Sequence, residues 1–137
     1  MKAESDANQT PGLVLVVDDV EGNRVLARAY LERIGWQVDE VGGGLEAIEY
    51  LKRRIPQAML IDIRMPDMSG DQLAAFVRNQ SSSSQVRLVG YTAHCVADEI
   101  RRYRAAGFDE VLIKPVLMAN MSQALPDPRP AASSMTL

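Results

Sequence analysis

The chain has 137 residues, of which 47% are hydrophobic and 24% are charged, and its formal net charge is −3. This length suits one domain with its own core, and a mildly acidic chain lacks the basic surface that direct nucleic-acid binding needs. With one cysteine and one histidine, an intrachain disulfide and the usual zinc ligand sets are excluded.

The lone Cys95 and the polar N-terminal segment predict a location. An unpaired cysteine is at home in a reducing compartment, and residues 1–12 lack the apolar core of a secretory signal. No apolar run reaches the length of a membrane span. We therefore expect a cytoplasmic domain that makes no membrane contact.

The first half of the chain predicts two strand–helix units and then a third strand. The aliphatic run 13–17 is typical of a strand buried on both faces of a parallel sheet, and a helical pattern follows over 21–34. The inward positions of that helix are predicted to be Val25, Ala29, Tyr30 and Ile34. After a strand over 36–41, the second helical stripe is Leu45, Ile48, Leu51 and Ile55, ended by Pro56. The third strand is predicted over 58–61.

The second half of the chain adds two more units in the same alternation. A third helix opens at 69–72, where Ser-Gly-Asp-Gln is a capping-box pattern, and its predicted buried face is Leu73, Phe76 and Val77. The serine-rich stretch 80–85 is expected to be a flexible connection. The last two strands are predicted over 86–91 and 111–113, and the last two helices over 94–106 and 116–125.

The alternation of strands and helices predicts the fold class. It is α/β: a doubly wound, five-stranded parallel sheet with right-handed crossovers and the expected strand order 2-1-3-4-5. The domain is predicted over 12–125, between a flexible N-terminal segment 1–11 and a disordered tail 126–137. The competing architecture is a nucleotide-binding half of the Rossmann type. Its glycine fingerprint is missing, because the glycines at 42–44 follow the second strand and not the first.

Polar side chains follow four of the five predicted strands. Asp18 and Asp19 end the first strand, and Asp62 ends the third. Thr92 ends the fourth and Lys114 the fifth. Each alone has an ordinary explanation, such as a solvated turn, a helix cap or a surface charge. Function in doubly wound sheets, however, lies beyond the carboxyl ends of the strands, where the strand order reverses. We therefore expect three carboxylates, a hydroxyl and an ammonium at one edge of the sheet.

A cluster of carboxylates predicts a bound cation. Two carboxylates about 4 Å apart repel by about 4 kcal/mol at an effective dielectric of about 20, so the cluster takes up a proton or a metal ion. Oxygen ligands that leave room for water and phosphate favour Mg²⁺ over calcium or zinc. A carboxylate beside Mg²⁺ and a lysine is placed to attack phosphorus and form an acyl phosphate, with Thr92 hydrogen-bonding the phosphoryl group.

Several motifs carry a resemblance to a known family. They are Leu-Val-Val-Asp-Asp at 15–19, Asp-Ile-Arg-Met-Pro-Asp-Met-Ser-Gly at 62–70, Thr-Ala-His at 92–94, Ala-Gly-Phe-Asp at 106–109 and Lys-Pro at 114–115. With these the chain resembles the response-regulator receiver family over residues 12–125, which implies a flavodoxin/CheY-like (βα)5 fold. Asn23 and Arg24, taken with 92–94, are most similar to the receiver domains of hybrid sensor histidine kinases.

The resemblance implies a role for each site residue. Asp62 would accept a phosphoryl group from a partner's phosphohistidine, and Thr92 and Lys114 would contact the phosphoryl oxygens. The implied Mg²⁺ site consists of Asp19, Asp62 and the backbone carbonyl of Arg64, with Asp18 holding a metal-bound water. The implied partner is a histidine kinase or a histidine phosphotransfer domain, and the domain by itself would not be a turnover enzyme.

One position departs from the family pattern. Val111 stands three residues before Lys114, where the family commonly has an aromatic ring, and Tyr91 is predicted to point away from the face of Thr92. We therefore expect a phosphoryl relay to a partner histidine, with phosphorylation-dependent dimerisation as the alternative output. The alternative functions are a stand-alone response regulator, a non-phosphorylated pseudo-receiver, and a phosphatase. A phosphatase of this class needs a second aspartate, two residues after its nucleophile, as the general acid. Arg64 occupies that position here, which argues against a phosphatase.

Overall fold

A single parallel sheet organises the chain in this computed structural model, which describes residues 9–93 and 96–129. The strands are β1 (Gln9–Val17), β2 (Gln37–Val41), β3 (Ile55–Asp62), β4 (Arg87–Thr92) and β5 (Glu110–Ile113). The helices are α1 (Glu21–Ile34), α2 (Gly44–Leu51), α3 (Gly70–Asn79), α4 (Ala97–Ala106) and α5 (Met118–Ala124). The strand order is β2-β1-β3-β4-β5, so the predicted topology is confirmed. Among the described residues, none of the helices has the length and apolar composition of a membrane span.

The sheet is buried on both faces, as the aliphatic run of β1 predicts. Val14 and Val16 belong to the core between the sheet and helices α1 and α5. Leu15 and Val17 belong to the core on the opposite face, with α2, α3 and α4. Side chains that alternate along a strand point to opposite faces of the sheet, so a continuous apolar strand supplies two cores at once.

The buried face of α1 differs from the prediction. Ala27 and Leu31 are the buried residues of this helix, whereas Val25 and Ala29 are exposed. Tyr30 and Ile34 are partly buried, as part of the same packing. The predicted face was wrong in part because α1 has apolar residues on several sides, so its helical period does not select a single face.

Pro56 lies in a strand and does not end a helix. Helix α2 ends at Leu51, and β3 begins at Ile55, where Ile55 pairs with Gln9 and Pro56 with Thr10. Proline is tolerated near the start of a strand because few ladder hydrogen bonds depend on its missing N–H there. The same pairing places Gln9, Thr10 and Pro11 in β1, although they fall in the segment 1–11 that was predicted to be flexible. Residues 1–8 lie outside the described residues.

The serine-rich connection is fastened to the domain, in contrast to the predicted flexible link. The hydroxyl of Ser83 is buried and donates to the carbonyl of Val77 at 2.8 Å. The Arg78 guanidinium donates to the carbonyls of Ser84 at 3.0 Å and Val86 at 2.5 Å. These bonds satisfy backbone carbonyls that a free loop would leave to water.

The ends of the last two helices also differ from the sequence boundaries. Helix α4 begins at Ala97, and His94 and Cys95 lie outside the described residues. After α5, the carbonyl of Leu125 accepts a 3.0 Å hydrogen bond from Trp36 Nε1. Residues 126–129 run beside Gly35, and the carboxylate of Asp127 lies close to that glycine. The predicted disordered tail otherwise falls on 130–137, outside the described residues.

Candidate functional site

Three carboxylates meet at the carboxyl ends of β1 and β3. The pairing of Val17 with Ile61 brings the ends of the two strands level, so that Asp18 and Asp19 follow one strand where Asp62 ends the other. Carboxylate oxygens of the three aspartates lie within 4.8 Å of one another. The structure thus brings together the acidic residues that the sequence predicts at this edge.

Burial makes Asp18 and Asp62 unlike ordinary surface carboxylates. Asp18 has 0% of its surface exposed and Asp62 has 5%, whereas Asp19 is exposed. Desolvation and the neighbouring charge of Asp18 raise the pKa of Asp62 to about 6, against the opposing effects of Lys114 and the Arg64 N–H. Buried carboxylates of this kind need a cation or several hydrogen bonds to remain charged.

Lys114 supplies a positive charge to both buried aspartates. Its Nζ lies 3.6 Å from Asp62 Oδ1 and 3.7 Å from Asp18 Oδ2. The backbone N–H of Lys114 donates to the carbonyl of Thr92 at 2.8 Å, which joins the ends of β4 and β5. Thr92 is 1% exposed and ends β4. The predicted strand-end residues therefore lie at the same edge of the parallel sheet.

Arg64 contacts the site through its backbone. Its N–H donates to Asp62 Oδ1 at 3.2 Å, while its exposed side chain lies 3.9 Å from Glu99. The predicted role of its carbonyl oxygen as a metal ligand stays a prediction.

Two residues that contact the acidic cluster were not predicted from the sequence to be part of the site. The Tyr91 hydroxyl donates to Asp18 Oδ2, and Arg24 Nη1 donates to the backbone carbonyl of Asp18 at 2.7 Å. Tyr91 packs with the core residues of the α1 and α5 face, while Val111 packs against the opposite core. The available signals were the position of Tyr91 directly before Thr92 and of Arg24 shortly after the acidic pair.

An apolar cleft opens beside the acidic cluster. It has a volume of about 360 Å³ and lies where α1, the end of β4 and the segment after β5 meet. Its lining includes Leu26, Tyr30, Tyr91, Lys114 and Val116. Lys114 and Tyr91 line this cleft and also contact Asp18, so the cleft adjoins the acidic cluster.

Comparison with known proteins agrees with this geometry. Residues 14–126 match the family model described as response regulator receiver domain. The sensor protein GacS of Pseudomonas syringae pv. syringae is 32% identical over 115 residues, which cover 82% of this chain and 13% of GacS. The curated relatives compared are much longer proteins, of which the matched region spans between 10% and 22%.

Solved structures share the fold over most of their length. The chemotaxis response regulator CheY4 of Vibrio cholerae has a TM-score of 0.78 at 25% identity, with 85% of this chain and 97% of CheY4 covered. The receiver domain of sensor histidine kinase PA1611 from Pseudomonas aeruginosa PAO1 has a TM-score of 0.75 at 25% identity, with 83% and 93% covered. That structure has a magnesium ion coordinated in its active-site cleft. The strand order, the acidic cluster and the family match together show that this chain belongs to the response regulator receiver domains of two-component systems.

Proposed function

We propose that Asp62 is the phosphoacceptor of this receiver domain and takes its phosphoryl group from a phosphohistidine. The observation that carries the proposal is the placement of Asp62, buried at a strand end with the Lys114 ammonium 3.6 Å from its carboxylate. An ammonium at this distance can neutralise charge on a phosphoryl group that bonds to the same carboxylate. Asp62 also lies in the middle of the site, because β3 is placed between β1 and β4 in the sheet.

The donor set of the site fits Mg²⁺. Three carboxylate oxygens within 4.8 Å of one another offer the oxygen ligands that this ion prefers. Asp19, Asp62 and the Arg64 carbonyl would ligate the ion, and Asp18 would hold a metal-bound water. When bound, Mg²⁺ supplies positive charge next to the oxygens of the transferring phosphoryl group.

The proposed transfer is a single displacement at phosphorus. A carboxylate oxygen of Asp62 forms the new O–P bond while the P–N bond to the donor histidine breaks, and the imidazole nitrogen keeps the electron pair of that bond. Lys114 and Thr92 bind the phosphoryl oxygens in the product. The domain would catalyse its own Mg²⁺-dependent phosphotransfer and dephosphorylation and would not by itself be a turnover enzyme.

The proposed partner is a histidine kinase or a histidine phosphotransfer domain. Several similar proteins are sensor kinases, which include RcsC of Escherichia coli at 33% identity. A partner helix would dock at the apolar cleft, which Leu26 lines. Leu26 and its neighbour Val25 on α1 are 53% and 57% exposed. Arg28, on the same helix, forms ion pairs with Glu40 and Glu32, so its charge is already paired. The expected location of the domain is the cytoplasm.

The acceptor is tested by intact mass after incubation with acetyl phosphate and Mg²⁺. We expect the wild-type protein to gain one base-labile, acid-stable phosphoryl group and Asp62→Asn to gain none, because an amide is not a nucleophile here. Asp71→Asn, outside the acidic cluster in α3, is the matched control and should be phosphorylated normally. No uptake by the wild type would indicate a pseudo-receiver, and continuous donor hydrolysis would indicate a phosphatase. Uptake by Asp62→Asn would move the acceptor elsewhere.

The relay output is tested by light scattering with and without beryllofluoride, a phosphoryl mimic. A relay needs access between Asp62 and a partner histidine, so the protein should keep one oligomeric state. A change from monomer to dimer would favour the alternative, in which phosphorylation drives dimerisation.

A further inference from the structure

Tyr91 contacts both partners of the buried charge pair in the acidic site. It is 4% exposed, and its hydroxyl donates to Asp18 Oδ2. Lys114 Nζ lies over its ring, 4.5 Å from the ring centroid, which is within the range of a cation–π interaction. Asp18 and Lys114 are themselves 3.7 Å apart, so one aromatic side chain touches a carboxylate and an ammonium that face each other.

The hydroxyl of Tyr91 completes the hydrogen bonding of Asp18. Asp18 has none of its surface exposed, and its Oδ1 already accepts a 2.9 Å hydrogen bond from the Val20 N–H. With Tyr91 on Oδ2, each carboxylate oxygen has a protein donor. A buried carboxylate bonded at both oxygens is held in one orientation, whereas one with a single donor is free to turn toward the nearest cation.

The same hydroxyl affects where the Lys114 ammonium lies. Asp18 and Asp62 compete for it almost equally, at 3.7 Å and 3.6 Å. Without the Tyr91 hydroxyl, Asp18 would have an unsatisfied oxygen in a buried site and would draw the ammonium toward itself. The ring of Tyr91 limits this movement because it forms the surface on which the ammonium rests.

We propose that Tyr91 is a positioning residue of the receiver site, whose hydroxyl fixes Asp18 and whose ring holds Lys114 between Asp18 and Asp62. The inference rests on the proposed function of Asp62, because Lys114 is useful to transfer only when it faces that carboxylate. Two substitutions separate the two roles. Tyr91→Phe removes the hydroxyl and keeps the ring, and Tyr91→Leu removes both.

The first measurement is the NMR shift of the Lys114 ε-methylene protons, which does not depend on phosphorylation. The chain has three lysines, Lys2, Lys52 and Lys114, so the assignment is tractable. An aromatic ring beneath the ammonium should move the Lys114 signal upfield of Lys52. The shift should persist in Tyr91→Phe and disappear in Tyr91→Leu. No upfield shift in the wild type would overturn the proposed contact, whatever the phosphorylation assay shows.

The second measurement is the rate of phosphorylation as a function of acetyl phosphate concentration. In Tyr91→Phe, we expect the rate at saturating donor to fall about tenfold, with the half-saturating donor concentration within about twofold of wild type. Mg²⁺ affinity by calorimetry should change less than the rate, because the carboxylates of Asp19 and Asp62 are unchanged. Tyr91→Leu should be slower still.

The matched control is Tyr50→Phe, which removes a tyrosine–aspartate hydrogen bond elsewhere. The Tyr50 hydroxyl donates to Asp39 at 2.6 Å, away from the acidic cluster, so this variant should keep the wild-type rate and the Lys114 shift. A wild-type rate in Tyr91→Phe would overturn the role of the hydroxyl. A parallel loss of Mg²⁺ affinity, rate and melting temperature would overturn the proposal as well, because it would show that Tyr91 acts through the fold. If the wild type is not phosphorylated, the function of Asp62 fails, and the NMR measurement still decides the Tyr91 contact.

Discussion

The Asp67 carboxylate accepts a 2.9 Å hydrogen bond from the backbone N–H of Leu45, in the first turn of α2. Its other oxygen accepts bonds from the N–H groups of Gly44 at 3.2 Å and Met68 at 2.9 Å. The residue before α2, Gly43, has no side chain to cap the helix. The loop that follows the proposed phosphoacceptor therefore caps α2, which packs on the same face of the sheet as α3. These hydrogen bonds hold the pKa of Asp67 below its usual value, and the bond from Leu45 has the largest effect.

Replacing Asp67 with alanine should destabilise the domain through the loss of this cap. Substitution of a capping carboxylate costs about 1 kcal/mol, so we expect the free energy of unfolding in urea to fall by that amount. Glu49→Ala is the control, because it also removes one negative charge, and its exposed pair with Lys52 contributes little. Equal stability of Asp67→Ala and wild type would show that water replaces the carboxylate as the cap.

Glu40 should make the stability of the domain depend on pH. It accepts hydrogen bonds from Arg28 at 2.5 Å and Arg24 at 3.1 Å, and the Arg28 bond is the main reason that its pKa lies below 4.5. A lowered folded pKa means a contribution that is present above the unfolded pKa and is lost as the pH falls through the folded pKa. Glu40→Gln should therefore be less stable than wild type by about 1 kcal/mol at about pH 7.

The difference in stability between Glu40→Gln and wild type should disappear in acid. Urea unfolding from neutral to acidic pH would measure this. Once Glu40 is protonated in both the folded and the unfolded wild-type protein, the two proteins carry the same charge at this position. A stability difference that is constant with pH would show that Glu40 acts by packing and not by charge.

Gly70 should tolerate no larger residue, because it lies against the backbone of the acidic site. A Cβ at Gly70 would lie 2.7 Å from the Cα of Ile63 and 2.8 Å from the carbonyl oxygen of Asp62. We expect Gly70→Ala to lower the free energy of unfolding by about 1–3 kcal/mol and to slow phosphorylation of Asp62. Gly22→Ala in α1, where a Cβ would meet nothing within 4 Å, is the control and should not destabilise. Unchanged stability of Gly70→Ala would mean that the loop after β3 yields easily.

Asp19 should be needed for metal binding. It is the exposed member of the three-carboxylate cluster, so Asp19→Ala removes a ligand and its charge without opening a buried cavity. Calorimetry should show Mg²⁺ affinity at least about tenfold weaker than wild type. Glu21→Ala removes a nearby exposed charge outside the cluster and should bind Mg²⁺ as wild type does. Equal affinity in Asp19→Ala would mean that the metal site is misassigned.

The order of the elements, the order of the strands and the edge at which the site lies could all be predicted from the amino-acid pattern. Continuous aliphatic runs such as 13–17 predict strands buried on both faces, and their alternation with helices leaves little choice of topology. The carboxyl ends of parallel strands meet at one edge, so Asp18, Asp62 and Lys114 could be placed together before any distance was known.

The side chains that complete that site depend on tertiary packing and could not be predicted in this way. Tyr91 was expected to point away from the face of Thr92, and it does pack in the α1 and α5 core, but its length brings the hydroxyl to Asp18. The bond from Leu45 to Asp67 depends in the same way on the path of a loop. Sequence periodicity records which face a residue occupies. It does not record how far a long side chain reaches, because that distance is set by the packing of elements remote in the chain.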